Sequence, residues 1–266
     1  MAAAKVAEST STLAPAVIHA AGASVDVLSA TFAAATFAAV LAGVVRGFSG
    51  FGSALILSPS LSALYGPEIA VPVALLLELV LSGPFVPPAA KLVDRRRTAL
   101  LCAAAAVMVP VGAYVLSVVD EQALRWAICA LVFVAVAILG FGWRYHGRPS
   151  STATAATGAL SGLFGGATGM TGPPVIFYEL AGSAPIERMR ASFIIFFAWV
   201  DVIALVSFAV TGTLSSQPVL VAVLLIVPYL AAAGVGARLF GRASEDFYRR
   251  LAVAILAGVA VVSLPL

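Results

Sequence analysis

The chain has 266 residues, of which 62% are hydrophobic and only 10% charged, with a formal net charge of +3. Apolar runs of membrane-spanning length recur along it, so the composition excludes a soluble globular enzyme and predicts an all-α polytopic membrane protein. The positive surplus lies in short loops between apolar runs, where it reports on topology and gives no reason to expect nucleic acid.

Residues 1-30 read as an N-terminal tail. Lys5, Glu8, His19 and Asp26 are too scattered there for a signal peptide. The apolar runs that follow are Thr31 to Leu57, Ile69 to Ala90, Ala99 to Val119, Trp126 to Trp143, Ala153 to Leu180, Ala191 to Val210, Val219 to Gly236 and Leu251 to Leu266. Lys91, Arg95, Arg96 and Arg97 mark one loop as cytoplasmic, Arg144 and Arg148 a second, and Arg238, Arg242, Arg249 and Arg250 a third. The loops Ser117 to Gln122, carrying Asp120 and Glu121, and Thr211 to Gln217, carrying no charge, read as external.

The first and fifth runs are related. LAGVVRGFSGFGS from Leu41 and LSGLFGGATGMTG from Leu160 align without a gap, pairing Leu41, Gly43, Gly47, Gly50, Leu61 and Glu68 with Leu160, Gly162, Gly166, Gly169, Leu180 and Glu187. Gly112, Glu121 and Arg125 align with Gly236, Glu245 and Arg249 at a slightly larger offset. The chain is thus a duplication, with membrane repeats over 31-148 and 149-266. The loops on both sides of the fifth run read as cytoplasmic, since Arg188 and Arg190 follow it. Its length of about 28 residues exceeds the ~20 needed to cross once. Gly165, Gly166, Gly169, Gly172, Pro173 and Pro174 interrupt it. These features predict a segment that dips in and returns. By the repeat, the first run dips in from the opposite side, which makes the halves inverted copies. Two parallel halves with simple crossings are the alternative.

A helix broken at mid-membrane leaves backbone groups that hydrocarbon penalises unless they line a cavity or hold a ligand. Paired glycine interruptions in two halves point to a transporter's binding site. Half-helix N-termini favour anions. The expected substrate-binding residues are Arg46, Gly47, Ser49, Gly50, Gly52, Ser53, Thr168, Gly169, Thr171 and Gly172. Gly43 with Gly47, and Gly158 with Gly162 and Gly166, also form Gly-X-X-X-Gly ladders suited to helix packing. Arg46 lies within an apolar run, where an arginine costs about 2.5–3.5 kcal/mol on insertion scales. Its planar fork suits a sulfonate, sulfite or carboxylate, and snorkelling or pairing with Glu78 is the other reading. Its counterpart in the second repeat is Gly165. Glu78 and Asp201 lie mid-run on the same face of equivalent helices, with Phe197 the direct counterpart of Glu78. They are candidates for proton coupling or static partners of Arg46. Glu179 reads as interfacial.

Gly47-Phe48-Ser49-Gly50 matches the Gly-X-Ser-Gly of rhomboid proteases, but His19 and His146 lie in the tail and a loop, so no buried base is available. Cys102 and Cys129 lack Cys-X-X-Cys spacing and read as small buried hydrophobes. With no Walker A sequence and no metal-ligand cluster, neither cofactor, metal nor catalytic activity is expected.

These residues resemble the TauE/SafE family of sulfite and organosulfonate exporters, most specifically through RGFSGFGSALILSP. Where the family often shows consecutive glycines, this chain has Phe51 and Ser53, then Ala167, Met170 and Thr171. The resemblance implies a multi-pass protein of the bacterial inner membrane that moves a small sulfur-containing anion outward. Its partners would be that anion and the lipid bilayer, and a homo-oligomer is compatible with it. A proton-coupled importer of small organic anions and a non-transporting membrane binding or scaffold protein are the alternatives.

Overall fold

The computed structural model describes residues 26–27, 29–49, 51–141, 150–180 and 185–239. The eighth apolar run, most of the N-terminal tail, Gly50, and the arginines at 144, 148, 242, 249 and 250 lie outside the described residues. All regular structure among the described residues is helical. The elements are α1 (Ala30–Ser49), α2 (Ala54–Tyr65), α3 (Pro67–Ser82), a 3-10 turn (Gly83–Phe85), α4 (Val86–Ala89), α5 (Arg95–Val118), α6 (Glu121–Phe141), α7 (Ser151–Thr168), α8 (Gly172–Leu180), α9 (Ile186–Thr211) and α10 (Ser216–Leu239). The segments Ala30–Gly47, Pro67–Ala89, Arg95–Val118, Glu187–Thr211 and Ser216–Arg238 are long and apolar enough to cross a bilayer.

Both overlong runs are broken where the glycines lie. α1 stops at Ser49 and α2 starts at Ala54; α7 stops at Thr168 and α8 starts at Gly172. Gly52 has φ 91° and Gly169 φ 72°, conformations that cost an L side chain energy, which is why the chain can turn so sharply there. Tyr178, near the end of α8, has its hydroxyl 2.6 Å from the hydroxyl of Thr154 and donates to the carbonyl of Ser150 at 3.4 Å, at the start of α7. The limb α8 therefore returns to the level from which α7 set out.

Each broken run packs against the other repeat. Gly158 and Gly162 of α7 lie against the backbone of Leu101 and Ala105 of α5, where an added Cβ would stand 2.5 and 2.6 Å from the carbonyl oxygens. Gly166 continues the seam against Val109 and Ala113, and Gly112 of α5 backs onto Leu163. The same seam recurs between α1 and α10, with Gly43 against Tyr229, Gly47 against Ala233, and Gly236 against Val44. Counterpart residues thus make counterpart contacts. In both seams the residue numbers rise together, so α7 runs parallel to α5 and α1 parallel to α10. Without a hydrophobic drive between helices in lipid, this close backbone approach is what holds the repeats together.

Two apolar clusters flank the broken runs. One gathers Ala39, Ile56, Leu57, Leu77, Ile128 and Tyr229; the other gathers Leu101, Val109, Phe193, Phe196, Val200 and Phe208. The seams give a direct expectation. Gly162→Ala should overpack the α5 contact and destabilise the protein by about 1–3 kcal/mol, seen as a lower melting temperature in detergent. Gly83→Ala, at a position with open space around it, should leave melting unchanged.

Candidate functional site

The two breaks face each other across a small cavity. Its walls come from Phe51, Gly52, Ala54 and Leu55 of the first break, Gly169 to Pro173 and Ile176 of the second, Arg46 of α1, Glu78 of α3 and Phe197 of α9. Its volume, about 20 Å³, is roughly what a water or two require, so the site is closed down. The two breaks are tied directly: Ser58 of α2 donates from its hydroxyl to the carbonyl oxygen of Thr168 at 2.5 Å. Gly169 N–H returns to the carbonyl of Gly165 at 3.0 Å, and Met170 N–H donates to the Thr168 hydroxyl at 3.3 Å. These bonds meet the needs of the α7 C-terminus inside the protein.

Arg46 is 6% exposed and lies in the last turn of α1, where the helix's negative end offsets part of the cost of burying a cation. It donates to the Ser82 hydroxyl at 2.8 Å, and its guanidinium lies 5.8 Å from the centre of the Phe197 ring. Glu78 precedes Ser82 by one helical turn, so both face α1. The Glu78 carboxylate accepts a 2.5 Å hydrogen bond from Ser53, at the start of α2. Asp201 on α9 is 1% exposed and lies close enough to Glu78 and Arg46 for all three charges to act on one another. Its Oδ2 has no hydrogen-bond partner among the described residues. Tyr229 of α10 has its hydroxyl beside the same charges and Ser53, without a hydrogen bond of good geometry. Arg46 and Glu78 in the cavity wall thus share a buried cluster with Asp201, which stands behind that wall.

The sulfite exporter TauE/SafE family model matches residues 35–263, nearly the whole chain and both breaks. The chain belongs to the TauE/SafE family. Neither the curated proteins nor the solved structures yield a match. As a member of a transporter family with several membrane-length helices, it is a membrane protein.

The residues expected at the site from the sequence are distributed unequally. Arg46, Gly52, Gly169, Thr171 and Gly172 line the cavity, and Ser53 reaches it through Glu78. The Thr171 hydroxyl is buried against Gly165, with no hydrogen-bond partner among the described residues. Thr168 bonds to its own helix, at the carbonyl of Phe164, 2.7 Å away. Gly47 faces Ala233 of α10. Ser49 ends α1, its side chain outside the described set, and Gly50 lies outside the described residues. Sequence reasoning passed over Phe51, Met170, Ile176, Phe197, Ser58 and Ser82. Two of these had a signal: Phe197 is the repeat counterpart of Glu78, and Ser82 follows Glu78 at helical spacing.

Glu179 is 3% exposed and lies 3.2 Å from the Arg97 guanidinium.

The Ser53 to Glu78 bond is the shortest link between the first break and α3. Ser53→Ala should strip the carboxylate of its donor and cost about 1–3 kcal/mol, read as a lower melting temperature. In Glu78→Gln background the same substitution should cost less, since the charge is gone.

Proposed function

We propose that the protein exports a small sulfur-containing anion, sulfite or a sulfonate, across the bacterial inner membrane through the cavity between the two helix breaks. The observation that carries this reading is Arg46, a buried cation in the wall of that cavity. The first-turn amides of α2, at Ala54 and Leu55, have no acceptor within the helix and add donors there. Pro173 and Pro174 remove two such donors from α8, so the first break offers more to an anion than the second.

Helix direction combined with loop charge supports inverted repeats. α5 begins at Arg95 to Arg97 and α7 after the loop of Arg144 and Arg148, and the two run parallel; both rise from the cytoplasm. α10 begins at the uncharged loop of Thr211 to Gln217 and ends at Arg238, so α1, parallel to it, descends from outside. The returning limbs agree. The end of α8 lies beside Arg97, while Gly66, at the end of α2, lies against the Glu121 carboxylate at the start of α6. The two breaks are then re-entrant tips that meet at mid-membrane from opposite faces.

An inside-negative membrane contributes about 2.3 kcal/mol per elementary charge per 100 mV to anion exit, so export can proceed without a coupling ion. In purified protein reconstituted into liposomes, Arg46→Gln should weaken sulfite or sulfonate transport at least tenfold in apparent affinity, and Arg46→Lys should recover only part of it because a point charge lacks the fork. Unchanged affinity in a folded Arg46→Gln protein would refute the site. Binding of sulfonates without passage would instead favour a scaffold.

A second reading, proton coupling, is favoured by the two carboxylates beside Arg46. A buried cluster that gains an anion keeps its charge if one carboxylate takes a proton at the same time. On that reading Glu78→Gln and Asp201→Asn abolish the dependence of transport on a pH gradient while substrate binding stays measurable. Static partners would behave otherwise, leaving gradient dependence intact and lowering the melting temperature.

A further inference from the structure

The second hairpin is fastened at its base, and the first has no equivalent fastening. Arg97, at the start of α5, lies 3.2 Å from the Glu179 carboxylate on α8, and its guanidinium stands 4.8 Å above the Tyr178 ring. Tyr178 in turn holds Thr154 and Ser150 on α7. α5, α7 and α8 are thereby cross-tied through adjacent residues of α8. The repeat counterparts of Thr154, Tyr178, Glu179 and Arg97 are Ala35, Pro59, Ser60 and Val221, which cannot reproduce the ion pair or the hydroxyl bond.

The tie is poorly made for a permanent one. Arg97 and Glu179 approach to ion-pair distance but are misaligned for hydrogen bonding, so Nε and one terminal nitrogen of Arg97 and Oε1 of Glu179 are buried without hydrogen-bond partners. Glu179 is 3% exposed, while the Arg97 side chain keeps 20% of its surface open. The unused donors are covered while Glu179 stays in place; once it moves aside, the planar guanidinium can take a bidentate oxyanion in better geometry than it holds this carboxylate. α8 also carries Gly172, Pro173 and Ile176, which wall the central cavity. Loosening its far end therefore bears on that wall.

We propose that Arg97 is a second anion-binding point at the inner mouth of the second hairpin, kept shut by Glu179 and opened when a small oxyanion such as a sulfonate takes the place of Glu179. The chemistry of the anion rests on the export reading, whereas the tie itself does not. Because only one hairpin carries it, access from the inner face is gated by ligand and access from the outer face is not.

The test reads accessibility instead of transport. A single reporter, Ile176→Cys in a Cys102→Ala/Cys129→Ala background, is labelled with a membrane-impermeant maleimide in inside-out and right-side-out vesicles. Glu179→Gln should raise labelling from the inner face by about tenfold, and the exchanged pair Arg97→Glu/Glu179→Arg should return it to the slow rate. Methanesulfonate should speed labelling in the protein with Arg97 and Glu179 intact, and should do nothing in Arg97→Gln; dimethyl sulfone, uncharged, should do nothing in either. If Glu179→Gln does not give monodisperse protein, Tyr178→Phe removes the Thr154 bond with all charges kept and should speed labelling several-fold. Equal labelling in folded Glu179→Gln and its parent would overturn the tie. A methanesulfonate effect that persists in Arg97→Gln, or is absent throughout, would overturn the anion site. Faster labelling from the outer face would overturn the inner placement. A protein that moves no sulfonate in liposomes would count against the export reading and leave these labelling outcomes readable.

Discussion

A helix that breaks in the interior of a protein must find partners for the backbone groups it frees, and in this chain the two breaks meet much of that demand through each other. The carbonyl of Thr168 is met by Ser58 from the opposite break, the amide of Met170 by the Thr168 hydroxyl, and the amide of Gly169 by its own helix. The first bond is the most consequential, because it makes one break a structural requirement of the other. A cavity between them follows from the geometry: two sharp turns with small residues at their tips leave space that no side chain fills.

Holding the tips in place falls to the seams between α5 and α7 and between α1 and α10. Hydrocarbon offers these helices no hydrophobic reward for touching, so attraction comes from backbone approaching backbone over glycine. Such a seam fits only one register, since moving a glycine away from the facing carbonyl puts a side chain there instead. The duplicated chain uses the same solution twice, residue for residue. Each break is thereby anchored by a helix from the other half, and neither half could build its part of the cavity alone.

The breaks and the packing glycines were legible in the sequence because each has a pattern: an overlong run and a spacing of four. Arg46 and Glu78 were legible for a different reason, the cost of a charge in an apolar run. Ser53, Ser58 and Ser82 differ. A serine in an apolar helix is cheap and common, and only the fold shows that these donate to or accept from the tips and charges. The partner of Glu179 was not legible for a related reason: nothing in the sequence joins the end of the fifth run to Arg97, and only the fold brings the acid under cover beside that guanidinium. The aromatic wall was missed because phenylalanine in a membrane helix carries no signal by itself; Phe197 becomes informative only as the counterpart of an acid.

The places where the two repeats differ carry more functional meaning than the places where they agree. Agreement, as at Gly47 and Gly166 or Gly112 and Gly236, is explained by packing alone. Difference must be explained by something that the two-fold arrangement does not require. Arg46 stands where the second repeat has Gly165, and that glycine is closely packed by Thr171 and Val200, leaving no room for a second arginine. Glu78 stands where the second repeat has Phe197, so the cavity has one ionic wall and one aromatic wall. A symmetric pair of arginines would bring two like charges together in low dielectric, whereas this chain sets one arginine beside an aromatic ring. The packing seams repeat, and the cavity they enclose does not.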